Sequence, residues 1–94
     1  MARGWRIVAR RRQMPMIEVD IVARRGDTLA IVEVKYRPTI DAAICAVTGQ
    51  AAQKLARAAR QIAMEQRAPS ARVDMIAMAP RCWPRHVVNI VRCD

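Results

Sequence analysis

Three acids and a lysine, Glu18, Asp20, Glu33 and Lys35, are spaced so that they can meet. Carboxylates are oxygen ligands for hard divalent cations, and magnesium in particular is held through one or two carboxylates together with substrate phosphates. A lysine beside them supplies a positive charge that can position water or steady charge developing on a phosphate. Whether the four meet depends on the segments that carry them. Ile17–Arg25 and Thr28–Tyr36 are two runs of alternating, β-branched-rich sequence separated by Gly26-Asp27, and a two-residue Gly-Asp loop between such runs signals a β-hairpin. With Gly26 and Asp27 as the loop, Arg25 pairs with Thr28, Asp20 falls opposite Glu33, and Glu18 falls opposite Lys35. Side-chain alternation puts these four on one face and Ile17, Val19, Ile21, Ala23, Ala30, Val32, Val34 and Tyr36 on the other.

Like charges directly opposite each other destabilise a sheet, so Asp20 facing Glu33 needs open water or a counter-ion. Water is the ordinary answer, because the exposed face of an antiparallel sheet is commonly charged. The spacing argues for the other answer. Asp, twelve intervening residues, then Glu-x-Lys, on adjacent strands and one face, resembles the active-site signature of the PD-(D/E)XK nuclease superfamily.

The remaining composition bounds the partners. Ninety-four residues make one domain, 1–94, and a chain of this length buries only roughly 60–65% of its unfolded surface. Seventeen Lys and Arg against eight Asp and Glu give a formal charge of +9 at pH 7, which calls for a polyanionic partner, nucleic acid before an anionic membrane. With no Phe, one Tyr and two Trp, recognition is expected through shape and backbone more than through base stacking. No apolar run approaches the roughly 20 residues that span a bilayer, and no signal peptide is evident. The expected setting is cytoplasmic, without membrane association. Cys45, Cys82 and Cys93 are odd in number and lack CxxC spacing, so no disulfide framework or zinc site is expected, and Cys45 reads as partly buried. His86, the one histidine, has no nucleophile nearby to activate and reads as a structural or surface residue.

The elements that position the four residues follow from pattern. Arg3–Arg12 alternates as a short strand; Arg10, Arg11 and Arg12 within it could contact phosphates or solubilise an edge strand. Pro15 breaks that strand. After Arg37-Pro38, a connection over Thr39–Ala46 holds a helical turn begun by Asp41. Thr48 caps a longer helix to about Arg67, whose apolar side is Ala51, Leu55, Ala58, Ala59 and Ile62. Ala68-Pro69-Ser70 stops it, Arg72–Ala79 reads as an inner strand, Arg81–Arg85 as a turn, and His86–Val91 as a last strand. The order is β, β-hairpin, α, β, β: an α/β protein of the α+β, mixed-sheet kind.

Taken together, RGWRIVARRR, EVDIVARRGDTLAIVEVKYRP, AAICAVTG, KLARAARQIA and RVDMIAMAP resemble the YraN-like family of bacterial proteins, an endonuclease-like branch of the PD-(D/E)XK superfamily, over nearly the whole chain and in order. The resemblance implies a restriction-endonuclease-like core with a flanking helix and a metal site on the hairpin. Asp20 and Glu33, with the carbonyl of Val34, would hold Mg2+ (or Mn2+). Lys35 would position or deprotonate water, Glu18 would be an auxiliary acid, and DNA phosphodiesters would be hydrolysed. Gln50, Gln53 or Lys54 on the following helix would orient water or contact a phosphate oxygen. Such proteins usually begin with a further helix bearing a glutamate, which has no counterpart here. Their lysine-glutamine pair after Ala-Val-Thr falls at Ala51 and Ala52, and the glycine before the first acid is Ile17. These departures carry a second reading, a catalytically inactive nucleic-acid-binding module with the nuclease fold. They also lead to a homodimer. The apolar row Ile17, Val19, Ile21, Val32, Val34 and Tyr36 on one face, with Val22, Leu29 and Ile31 on the other, needs cover on both sides. One long helix leaves a patch of the size that marks interaction surfaces.

Overall fold

The computed structural model describes residues 4–92; Arg3 and Cys93, named above, lie outside them. Five strands, β1 (Arg6–Gln13), β2 (Glu18–Arg25), β3 (Thr28–Tyr36), β4 (Ser70–Met78) and β5 (Arg85–Arg92), form one sheet in the spatial order β1-β2-β3-β4-β5. All neighbours are antiparallel except β3 and β4, which are parallel. A parallel pair needs a long crossover, and here α1 (Ile40–Ile44) and α2 (Gly49–Glu65) supply it. The expected mixed sheet with a flanking helix is the fold observed.

The hairpin has the register read from its turn, Arg25↔Thr28 through Ile21↔Val32. Gly26 sits at φ +57, the left-handed conformation that a two-residue hairpin loop demands and glycine adopts freely. Thr48 caps α2, its Oγ1 accepting from the Ala51 N–H at 3.2 Å. Thr39, not Asp41, caps α1, accepting from Ala42 at 3.1 Å, because the residue just before a first turn can turn its oxygen onto the free N–H groups. α2 stops at Glu65, and Arg67, beyond it, has a positive φ of 53. Cys45, at the end of α1, is exposed and not partly buried as expected.

α2 buries Leu55, Ala56, Ala58, Ala59, Ile62 and Ala63 against Val22, Leu29, Ile31 and Val73 of the sheet. The alanines let the helix axis approach closely. α1 places Ala43 on Met75 and Ala77. Since Val73, Met75 and Ala77 alternate along β4, both helices lie on one face, and it is the face that carries Glu33 and Lys35.

The expected apolar row on the opposite face assembles in part: Ile21, Ala23, Ala30 and Val32 pair there, and its Ile17–Val19 end does not join them. Val19, 1% exposed, packs in the cluster under α2 with Val22, although the two are three positions apart, so strict alternation fails between them. The cause is local: the β2–β3 ladder ends at Ile21↔Val32, and Arg11, which lies opposite Asp20 in the β1–β2 register, takes a positive φ of 49. Ile17 also packs against the α2 cluster and Val32 is buried, which leaves Tyr36 as the exposed member of the row. The helix-free face is covered by long side chains. Trp5 lies between the guanidinium groups of Arg25 and Arg72, 4.7 and 4.8 Å from its ring centroid, on the side where Ala23 and Ala30 are wholly buried. Such cation–π contacts add about 0.5–2 kcal/mol each. Among the described residues no helix is long and apolar enough to cross a membrane.

Removing the buried methyls of Ile62 by Ile62→Ala is expected to lower the unfolding free energy by about 2–5 kcal/mol, and Thr48→Ala by about 1 kcal/mol, both read as shifts of the urea midpoint.

Candidate active site at the open end of the hairpin

Where the β2–β3 ladder stops, the Asp20 side chain replaces backbone. The N–H of Val34 donates to Asp20 Oδ2 at 2.8 Å, filling the bond that β2 would have offered had the pairing continued. In an antiparallel ladder the N–H and C=O of one residue point to the same side, so the Val34 carbonyl faces β2 as well. Glu33, 9% exposed, meets the Asp20 carboxylate by a side-chain hydrogen bond. Burial, that hydrogen bond and the negative charge of Asp20 raise its carboxyl from 4.5 to about 7, against the opposing pull of Lys35 and of the Val34 N–H. Glu33 therefore keeps its proton up to near neutrality. A divalent cation is the natural replacement for that proton, so the donor set fits a hard metal ion.

Lys35 is half-buried on the same face as Glu33. Glu18 departs from expectation: it is exposed, its strand partner is Gln13 of β1, and no β2–β3 pairing reaches Lys35. The same early end of the ladder that frees Asp20 turns Glu18 toward β1. Among the described residues, no group of three or more His, Cys, Asp and Glu side chains gathers as a ligand set. A cation here would rest on Asp20, Glu33, the Val34 carbonyl and water.

The basic residues divide. Arg10 and Arg11 are exposed. Arg12 is engaged, its Nη2 lying 2.7 Å from Glu65 at the end of α2, so it serves as a tie between sheet and helix and is not a free phosphate contact. Lys54 and Arg57 border a shallow recess of about 110 Å³ whose apolar part includes Met14, Met16 and Ile17. Gln50 and Gln53 are exposed. Ala52 lines a second recess, of about 340 Å³, with Ile44, Val47, Met75 and Ile90; Met75 is the β4 neighbour of Glu33.

One polar centre escaped the sequence reading. Asp74 is wholly buried, on the face away from the helices and from Glu33. Its Oδ2 accepts from Arg72 at 3.1 Å and lies 2.8 Å from His86 Nε2, and its Oδ1 accepts the Asn89 N–H at 2.9 Å. The β4–β5 register shifts there, between Val73↔Val91 and Met75↔Val87, and Asn89 adopts a φ of 56, which aims its N–H at the carboxylate. Hydrogen bonds to both oxygens are what a buried acid requires. The available signal was an aspartate inside an inner strand, Val73-Asp74-Met75. His86, read as structural or surface, has its role in this network.

The profile of the family described as "Uncharacterised protein family UPF0102" matches residues 1–78. A UPF0102 protein of Brucella canis is 47% identical over 90 residues, covering 93% of this chain and 71% of that protein. One from a Chelativorans species is 45% identical over 91 residues, covering 94% and 73%. One from Sinorhizobium fredii is 43% identical over 91 residues, covering 93% and 74%.

The raised Glu33 carboxyl makes a signed prediction. A folded chain that holds a proton more tightly than the unfolded one gains stability fully below pH 4.5 and loses it as pH rises through about 7. In chelator, the parent is expected to lose about 1–3 kcal/mol of unfolding free energy between pH 5 and pH 8 relative to Glu33→Gln. Urea titrations of both proteins across that range read the difference; parallel pH profiles would show that Glu33 does not carry the proton.

Proposed function

The chain belongs to the UPF0102 family, and we propose that it is a metal-dependent nuclease that hydrolyses phosphodiesters in DNA at the open end of the β2–β3 hairpin. The observation that carries this reading is the Asp20–Glu33 pair: two carboxylates pressed together at the end of a ladder, one of them buried and holding a proton to near pH 7, with a lysine two residues away. Nothing in a purely structural hairpin calls for that repulsion. The resemblance of Asp20, Glu33, Val34 and Lys35 to the PD-(D/E)XK signature supports the same assignment.

Each side chain then has a task. Asp20 is held in place by the Val34 N–H on one oxygen and would offer its carboxylate to the cation. Glu33, which keeps its own proton up to near neutrality, would give it up to hold a divalent cation together with Asp20. When bound, magnesium or manganese neutralises charge on the phosphate and lowers the pKa of a coordinated water. The Lys35 ammonium orients the attacking water or contacts a phosphate oxygen, where it steadies the growing negative charge. Arg10, Arg11 and Lys54 contribute to a basic surface that draws the polyanion in, under a net charge of +9.

A second reading, a module that binds nucleic acid without cleaving it, is favoured by one observation: Ala52, where a polar side chain would serve a site beside Glu33, lines a largely apolar recess with Met75. Such a module would bind with a steep inverse dependence on salt.

Asp20→Ala and Lys35→Ala are each expected to reduce DNA cleavage in magnesium by about 100-fold or more, and cleavage at the parent rate by both variants would sink the nuclease assignment. Calorimetric titration with magnesium or manganese should give a saturable heat for the parent that Asp20→Asn/Glu33→Gln lacks. Metal binding together with DNA binding and no turnover would transfer the protein to the second reading.

A further inference from the structure

Trp83 is 93% exposed, the largest apolar side chain in the molecule left almost wholly in water. It stands in the β4–β5 connection, Pro80-Arg81-Cys82-Trp83-Pro84. Prolines on both sides restrict the backbone there. A turn closed by the Cys82 N–H on the Ala79 carbonyl at 3.3 Å and a positive φ of 61 at Arg81 shape the loop further. An aromatic ring displayed on a stiffened loop loses little conformational entropy on meeting a partner.

The loop's position decides what that partner is. Because β3 and β4 are parallel, their C-terminal ends emerge together: Tyr36 pairs with Met78, and the Arg37 N–H donates to the Met78 carbonyl at 3.0 Å. Tyr36, 58% exposed, stands three residues past Glu33, about 10 Å along the strand, so the exposed aromatics and the acid pair share one end of the sheet, Tyr36 on its helix-free face and Glu33 on the other. The charge there is basic. Arg37, Arg81 and Arg85 are exposed, and Asp41 is the one acid in residues 36–45 and 79–86.

We infer that this rim, with Trp83 as its stacking platform, binds unpaired bases of DNA next to the hairpin site; the inference rests on the nuclease reading and gives that site a preference for single-stranded stretches. An indole offers a face to any base, while guanidinium groups on either side neutralise the flanking phosphates, the combination by which sequence-tolerant single-strand binding is built. A duplex cannot use it in the same way, because its bases are already stacked on one another. The substrate class that results is DNA with unpaired nucleotides at or beside the scissile bond.

The test is done in chelator, so that it requires neither metal nor cleavage. In a Trp5→Phe background, emission reports Trp83 alone, and oligothymidine is expected to quench it. Trp83→Ala should weaken oligothymidine binding about tenfold, with less than a twofold change for a duplex of equal length, and Trp83→Phe should restore most of the loss. An unchanged urea midpoint is expected of both variants, since the side chain packs on nothing. Trp83→Ala that binds oligothymidine as tightly as the parent overturns the inference, as does an equal loss for single strand and duplex. Loss of self-association in sedimentation without loss of DNA binding also overturns it, by showing a contact between copies. These outcomes leave the nuclease reading to its own test: if Asp20→Ala and Lys35→Ala are inactive and Trp83 has no effect, the stacking platform alone is wrong.

Discussion

The hydrogen bond from the Val34 N–H to Asp20 is the point on which the hairpin's working end depends. A β-ladder normally continues until a turn or a strand end, with backbone meeting backbone. Here it stops at Ile21↔Val32, and a side-chain carboxylate takes over the next donor. That exchange pins Asp20, brings its charge against Glu33, and turns the Val34 carbonyl in the same direction. It also costs: burial, and after it the neighbouring Asp20, raise the Glu33 carboxyl. A hairpin built only for stability would place opposite charges there, since a cross-strand pair of like charges is unfavourable.

The rest of the fold keeps that end open while anchoring the other. α2 crosses the same face as the acids but spends its contacts on Val22, Leu29, Ile31 and Val73. At its C-terminal end, Arg24 donates to the Gln66 carbonyl and Arg12 grips Glu65, tying helix to sheet by charge-assisted contacts. The alanine-rich face of α2 suits this role, because small side chains permit close approach without crowding the strands below.

The helix-free face is managed by different chemistry. Small residues, Ala23 and Ala30, sit under the Arg25–Trp5–Arg72 stack. Arg72 also bonds to Asp74, which in turn holds His86 and the backbone at Asn89. One chain of polar and aromatic contacts thus links the residues ahead of β1, the centre of the sheet and β5. It is fully on the opposite side from Glu33, so it stabilises the scaffold of the proposed site without entering it.

Local patterns determined much of this. The Gly26-Asp27 turn with its flanking alternation set the hairpin and its register as far as Ile21↔Val32. Thr48 announced α2, and an apolar segment after Pro69 announced an inner strand. Those features depend on neighbours within a few residues, which a sequence displays. Tertiary structure alone decided what alternation could not. Val19 and Val22 pack in one cluster where the β2–β3 ladder ends at Ile21↔Val32, and that early end also leaves Glu18 unpaired with Lys35. The same holds for Asp74: its three partners come from β4 itself and from a displaced stretch of β5. A buried carboxylate is tolerable only once those partners have converged, and their convergence is a property of the folded sheet that no local pattern encodes.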